Sequence, residues 1–398
     1  MQREAIIALL RPSMFFTVRK MNSSITQLLA DLVRIDSINP DLTPGGAGEY
    51  TIAHFIAAWL RQAGLEVLID EVLPGRPNVV GIVRGSGGGR TLLLNGHIDT
   101  VGITNMVDPH TPVIRDGRLY GRGAYDMKGG LAACMVAAAA ARQHKLRGDV
   151  VIAAVMDEEY AGLGTMDIVK RYRADGAIIA EPTEMEAVVA HKGFAWFELE
   201  THGVAAHGSR PDLGVDAIVH MGRLLCALDD LNTHLLANPR HPLLKSGSLH
   251  AAVIRGGQEL SCYPALCQLA VERRTIPSET PELAEAQLVD LIERLSHEHP
   301  SFRATLRRTL DREPMETPAD APIRQLVTQH AAAVLGRSVP EVGAAYWTDA
   351  ATLDQAGIPT LLFGPAGAGA HAVEEWVDVA SVAQCAAIYA RVMVDFCA

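Results

Sequence analysis

The sequence predicts an α/β fold interrupted by a compact α+β insertion. Three observations carry this reading. Short, nearly wholly apolar runs alternate with helical segments up to about residue 190; the order then changes to β-α-β-β-α-β; and the first rhythm resumes from about residue 315. Strands buried on both faces of a parallel sheet read as continuous apolar runs, whereas a sheet with one wet face reads as alternation.

From Ser24 the apolar residues Ile25, Leu28, Leu29, Leu32 and Val33 fall on one face of a helix. Ile52, Phe55, Ile56, Trp59 and Leu60 repeat the pattern, and Gly64 stands where a helix C-cap belongs. Strands are expected at Leu65–Ile69, Asn78–Val83 and Thr91–His97. A long helix follows from about Lys128 to Gln143, then strand Asp149–Met156, a further helical segment and strand Gly176–Ala180. In the insertion Phe194–Thr201 alternates as a strand, and Leu213–Leu236 has helical periodicity. Ser248–Ile254 and Cys267–Thr275 read as strands, Pro281–Glu298 as a helix and Phe302–Leu310 as the closing strand. That order is the ferredoxin-like unit. Beyond it come helix Ala321–Leu335, strand Thr360–Phe363 and a final helix from Val379. The expected domains are 21–187 joined to 311–398, with 188–310 inserted between them.

A chain of 398 residues exceeds what one hydrophobic core organises, which agrees with two domains. With 48% hydrophobic and 20% charged residues it is globular in composition. Lys and Arg number 35 against 46 Asp and Glu, leaving a net charge of −11. No basic block offsets that balance, so neither a nucleic acid nor an anionic membrane is an expected partner. The longest nearly uncharged apolar run, Leu131–Ala141, is shorter than the roughly 20 residues a bilayer requires. The six cysteines form no CxxC pair and several lie in apolar helical patterns, the usage of structural thiols in a reducing compartment. The stretch MQREAIIALLRPSMFFTVRK is interrupted by Arg11 and Pro12 and lacks a small-residue cleavage site. A soluble, cytoplasmic protein is therefore expected, with residues 1–20 an upstream extension and the native start at Met21, directly before a clean helix start.

Five short motifs, at strand ends or in the loops beyond them, carry the chemistry. In Asn95-Gly96-His97-Ile98-Asp99, residues two apart on a strand share a face, and Asp99 is placed to accept the second ring N–H of His97. Gly121-Arg122-Gly123-Ala124-Tyr125-Asp126-Met127-Lys128-Gly129-Gly130 sets Asp126 just before the Ala-rich helix, where, taken by itself, an N-cap is the simpler role for it. Asp157-Glu158-Glu159 ends a wholly apolar strand, and paired acids there can divide ligation from proton transfer. Ala180-Glu181-Pro182-Thr183 again ends a strand in a carboxylate, and the loop from Phe363 to His371, FGPAGAGAH, brings a second His. Taken singly each motif has a bland explanation. Together, two His and several carboxylates form the N/O set that zinc, cobalt or manganese favours, and so few imidazoles suit a two-metal site.

In order and spacing, GHIDTV, GRGAYDMKGG, DEEYAGLGT, EPT and GAGAHAVEEW resemble the M20 family of metallopeptidases and amidohydrolases, over about residues 22–398. The resemblance implies a zinc-exopeptidase-like catalytic domain with an inserted ferredoxin-like lid and dimerisation domain. It implies two zinc ions, with cobalt or manganese as substitutes. His97 and Glu181 would hold one ion, Glu159 and His371 the other, and Asp126 would bridge them. Asp99 would orient His97, Glu158 would be the general base on the bridging water, and the Asp126–Met127 peptide would be cis. The stretch GVAAHGSRP resembles the family's lid signature, which implies that His207 reaches the partner subunit's site in a homodimer and donates to the oxyanion. Glu272-Arg273-Arg274 resembles the acid-x-Arg strand, so Arg274 is the candidate for gripping a substrate carboxylate. The chain departs from the pattern at Ser261, where many members carry a substrate-contacting Asn, and at Ala265, where an acid is usual. Ser261 and Gly369 complete the candidate substrate-binding set.

The expected activity is hydrolysis of the amide of a small N-acyl amino acid with a free carboxylate, of deacetylase or desuccinylase type. A carboxypeptidase or dipeptidase with the same machinery is the alternative; a metal-containing, non-catalytic binding protein is the alternative of another class. The glycine run Gly85-Ser86-Gly87-Gly88-Gly89 has no helix after it and so lacks the setting of a phosphate loop. Mass spectrometry of the natural protein is expected to find the N-terminus at Met21; a single N-terminus at Met1 would overturn that assignment.

Overall fold

The computed structural model describes residues 25–398, so the expectation about residues 1–20 lies outside the described residues. The chain divides into two compact units. One runs up to Val189 and includes Thr317–Val342 and Thr352–Ala398; the other comprises Ala190–Glu316 and Gly343–Ala351.

The first unit is built on a sheet whose spatial order begins Glu66–Leu73, Arg76–Val83, Val150–Val155, Leu92–His97, Gly176–Ile179 and Thr360–Leu362. The first three strands pair antiparallel. From Val150–Val155 onward the neighbours run parallel, with His97 opposite Val155 and Asn95 opposite Ile179. Those four parallel strands are buried along their whole length, which is why they read as unbroken apolar runs. Their shared direction brings their C-terminal ends to one edge.

Helices cover this sheet: residues 25–34, Tyr50–Gln62, Gly129–Ala141, Leu163–Arg171, Pro322–Leu335 and Val379–Phe396. Gly129–Ala141 is buried nearly all round and packs against Val379–Phe396. Its alanines permit that approach, and Gly130 permits a closer one: a Cβ there would lie 1.8 Å from the Ala180 carbonyl oxygen. By length and hydropathy Val379–Phe396 could cross a membrane. Its Val382, Cys385, Ile388, Tyr389, Val392, Met393 and Phe396 are instead buried in this unit, as in the core helix of a globular fold.

The second unit is a four-stranded antiparallel sheet in the order Ser248–Gly256, Leu266–Thr275, Gly193–His202, Ala304–Arg312. With helices Ala217–Ala237 and Pro281–Glu298 this is the ferredoxin-like arrangement. Alternate residues Ala195, Phe197 and Leu199 face a core shared with Met221, Leu224, Leu288, Leu291 and Phe302. The first helix starts at Ala217, not at Leu213 as its periodicity predicts. The Asp216 carboxylate accepts the N–H groups of Ile218 and Val219 and caps the helix there.

One element had no periodic signal at all. Strands Val113–Arg115, Arg118–Tyr120, Gly367–Ala368 and Trp376–Asp378, of two or three residues each, form a small sheet. It pairs Tyr120 with Trp376 and Arg118 with Asp378, tying the segment before Asp126 to the segment after His371. Phe302→Ala, at a side chain with no exposure, is expected to destabilise the protein. The loss should be about 3–5 kcal/mol, read as a lower urea midpoint at unchanged m-value.

Candidate metal centre

His97 is the last residue of its strand and is buried. Its Nδ1 lies 2.9 Å from the main-chain oxygen of Asp99, whereas the Asp99 carboxylate is 3.6 Å away. A carbonyl only accepts, so Nδ1 carries a proton and Nε2 is the atom turned to the site. The orienting contact thus comes chiefly from the backbone of Asp99, which stands beyond the strand end. Its carboxylate accepts the main-chain N–H groups of Glu158 and Glu159, each at 3.2 Å.

Asp126 lies in the irregular segment Ala124–Lys128, with non-helical backbone at Asp126 and Met127 and a cis peptide between them. The N-cap position of the following helix belongs to Lys128, so capping is not the role of Asp126. Its two oxygens face different imidazoles: Oδ1 is 3.1 Å from His97 Nε2, and Oδ2 is 3.4 Å from His371 Nε2. His371 Nε2 is also 3.0 Å from Glu159 Oε2, and His97 Nε2 is 3.6 Å from Glu181 Oε1. The Glu158 carboxylate falls within 4.8 Å of the ligand atoms of His97 and Glu181. His371, at φ +60, is 57% exposed at its side chain and forms the open side; His97, Glu159 and Glu181 have side chains no more than 8% exposed.

Sequence reasoning did not single out Glu375, which holds this geometry. Its buried carboxylate accepts the N–H groups of Gly123 (2.9 Å), Tyr125 (2.8 Å) and Asp126 (3.0 Å), and the Arg122 guanidinium at 2.8 Å. The signal was an acid pair three and four residues after His371, inside a motif read only for its histidine. Gly369 acts on the same loop. Its φ is +89, and a Cβ there would lie 1.9 Å from the Glu374 oxygen, so its visible part is in the turn that presents His371.

The remaining candidates belong to the second unit. His207 is exposed, with Nδ1 2.8 Å from Ser209 Oγ, and Gly208 donates to the Ser261 carbonyl at 2.6 Å. Arg274 pairs with Glu272 and stacks over Phe194, its guanidinium carbon 5.3 Å from the ring centre.

The charges in the first unit show what the cluster would hold. Burial disfavours a charged His97, yet Glu181, Asp126 and Asp99 outweigh it and raise its pKa well above 6.5. Hydrogen bonds to Asp126 and Glu159 lift His371 to about 10. Burial, with Asp126 beside it, raises Glu159; burial does the same to Asp126, but the two imidazoles outweigh it and hold that carboxyl well below the usual range. A site that keeps its imidazoles protonated has a strongly negative potential, and a divalent cation would take the place of those protons. Oε1 of Glu159 is buried without a hydrogen-bond partner among the described residues, leaving one carboxylate oxygen for such an ion. The donor set fits a pair of divalent cations.

Residues 93–395 match the model of peptidase family M20/M25/M40. The chain belongs to this family. As an M20 member it is 30% identical to the acetylornithine deacetylase of Myxococcus xanthus, over 96% of this chain and 98% of the relative. It is 28% identical to the N-formyl-4-amino-5-aminomethyl-2-methylpyrimidine deformylase of Bacillus subtilis, over 87% of this chain and 88% of the relative. Its fold is shared with the YXEP protein of Bacillus subtilis, a dinuclear metal binding peptidase, at a TM-score of 0.75, 14% identity and coverage of 95% and 99%. The aminopeptidase PepT of Bacillus cereus gives 0.77 at 19% identity, covering 94% of this chain and 99% of that one.

Replacing Asp126 with Ala is expected to strip bound divalent metal from both positions, measured as metal per chain after dialysis. Glu375→Gln, which weakens the hold on the Asp126 loop, should lower metal affinity about 10- to 100-fold by competition with a chelator dye.

Proposed function

We propose that the chain is a di-zinc hydrolase that removes the acyl group from a small N-acyl amino acid. The observation that carries this reading is the division of Asp126 between two imidazole–carboxylate pairs, His97 with Glu181 and His371 with Glu159, while Glu158 stands beside them. Five protein ligands, one of them shared, would hold two ions. When bound, these ions would supply Lewis-acid activation of the acyl carbonyl and a water acidified toward neutral pH.

Glu158 accepts the proton of the attacking water and returns it to the departing amine, which needs one carboxylate free of ligation duty. Asp99 keeps His97 in the tautomer that presents Nε2. His207, from a second copy of the chain, donates to the oxyanion. Arg274 grips the substrate carboxylate, and Ser261 and the Gly369 turn border the substrate. A homodimer through the second unit is supported by apolar side chains left exposed there: Val253 and Ile254 on the edge strand, Ile218 and Val219 on the helix. The six free cysteines, four of them buried, favour a reducing cytoplasm.

Deacylation is favoured over peptide cleavage because the two sequence relatives described above are named as a deacetylase and a deformylase, whereas the peptidases share the fold at 14% and 19% identity. Amine release from a panel of N-acetyl, N-succinyl and N-aroyl amino acids and dipeptides, with zinc- or cobalt-loaded protein, tests it. Release from one acyl class is expected. Glu158→Ala should cut it at least about 100-fold, the lower bound for a general base, while metal content stays near that of the parent. Release from dipeptides alone would move the assignment to a peptidase, and near-parent turnover in Glu158→Ala would remove the base from the mechanism.

A further inference from the structure

Behind the turn that carries Glu158 and Glu159 lies a buried polar cluster of which the reaction chemistry described above uses only Asp99. Asp157 has no exposure and a φ of +68, a left-handed conformation that among residues with a Cβ Asp and Asn adopt most readily. Its carbonyl closes the turn by accepting the N–H groups of Ala161 at 3.1 Å and Gly162 at 2.7 Å. Its Oδ1 accepts from Asn39 Nδ2 at 3.0 Å and from Arg76 Nη2 at 3.1 Å. The same Asn39 nitrogen donates to Asp99 Oδ2 at 2.8 Å. Asp99 in turn takes the N–H groups of Glu158 and Glu159. Arg76 is itself fixed, forking onto Glu49 through Nε at 2.7 Å and Nη2 at 2.5 Å and pairing with Asp41 through Nη1.

Asn39, Glu49, Asp99 and Asp157 are each at most 1% exposed, and Arg76 is 7% exposed. Three buried carboxylates gathered on one amide and one guanidinium add little stability that well-packed apolar side chains would not. What the arrangement does supply is direction. It reaches the acidic turn from two places remote in sequence, 118 and 81 residues before Asp157. Its contacts end on the two amides that precede the Glu158 and Glu159 side chains.

We propose that Asn39 and Arg76 are positioning residues for the hydrolysis. By fixing the carboxylates of Asp99 and Asp157 they lock the backbone of the turn, and so aim Glu158 at the substrate and Glu159 at the metal centre. The proposal rests on the assignment of Glu158 as the base.

Asn39→Ala and Arg76→Lys test it in the metal-loaded full chain, on the amino-acid panel above, beside the parent and Glu158→Ala. Each is expected to lower kcat about 10- to 100-fold, with KM within about twofold. In the metal-free protein the amides of Glu158 and Glu159 should exchange hydrogen at least about tenfold faster, while strand Val150–Val155 keeps its protection. Asp157→Asn preserves shape and tolerates the left-handed backbone; it should show a smaller loss of the same kind, and it decides the matter if the other two variants do not fold. Parent-like kcat in the folded variants, or faster exchange spread evenly along Val150–Val155, would overturn the proposal. Loss of turnover in Glu158→Ala with parent-like kcat in Asn39→Ala would sink the positioning role alone. Parent-like turnover in Glu158→Ala would instead sink the reading of function on which it rests.

Discussion

The site depends on one carboxylate shared by two imidazoles. Asp126 faces His97 with one oxygen and His371 with the other, and each imidazole is completed by a further glutamate. Bringing Asp126, Glu159, Glu181 and Glu158 so close is electrostatically unfavourable unless positive charge lies among them. The protein itself answers by raising the proton affinity of His97 and His371, and divalent cations would answer more strongly. Negative charge packed against a largely buried sheet edge is therefore what makes this place fit for cations.

Holding that charge in place takes more than the clustered side chains themselves. Two buried carboxylates act on backbone amides instead of on ions. Glu375 gathers the N–H groups of the Asp126 loop, and Asp99 gathers those of the Glu158–Glu159 turn. Each turns a flexible connection into a fixed one by satisfying main-chain donors that would otherwise be buried without partners. The small sheet joining Arg118–Tyr120 to Trp376–Asp378 does the same on a larger scale, since it couples the Asp126 segment to the loop that presents His371.

The second unit obeys different rules. Its sheet has one wet face, so its strands alternate, and its helices lie over the apolar side. It carries His207, Ser261 and Arg274 on an exposed loop and a sheet strand, away from its own core.

Much of this was legible in the sequence because it is local. Buried strands must be apolar throughout, so Leu92–His97, Val150–Val155 and Gly176–Ile179 announced themselves, and the candidate ligands His97, Glu159 and Glu181 are polar residues at or just beyond the ends of such runs. The glycine-rich motifs were visible for the same reason: tight backbone leaves a compositional mark. What tertiary structure alone decided is non-local. Which carboxylate meets which imidazole follows from how the parallel strand ends meet the Asp126 segment and the His371 loop, which the small antiparallel sheet ties together. The parts of Glu375, Asn39, Arg76 and Asp157 follow from contacts across 81 to more than 200 residues. No periodicity encodes a buried hydrogen bond between distant segments, because a single polar residue in a loop looks the same whether it faces water or supports the site.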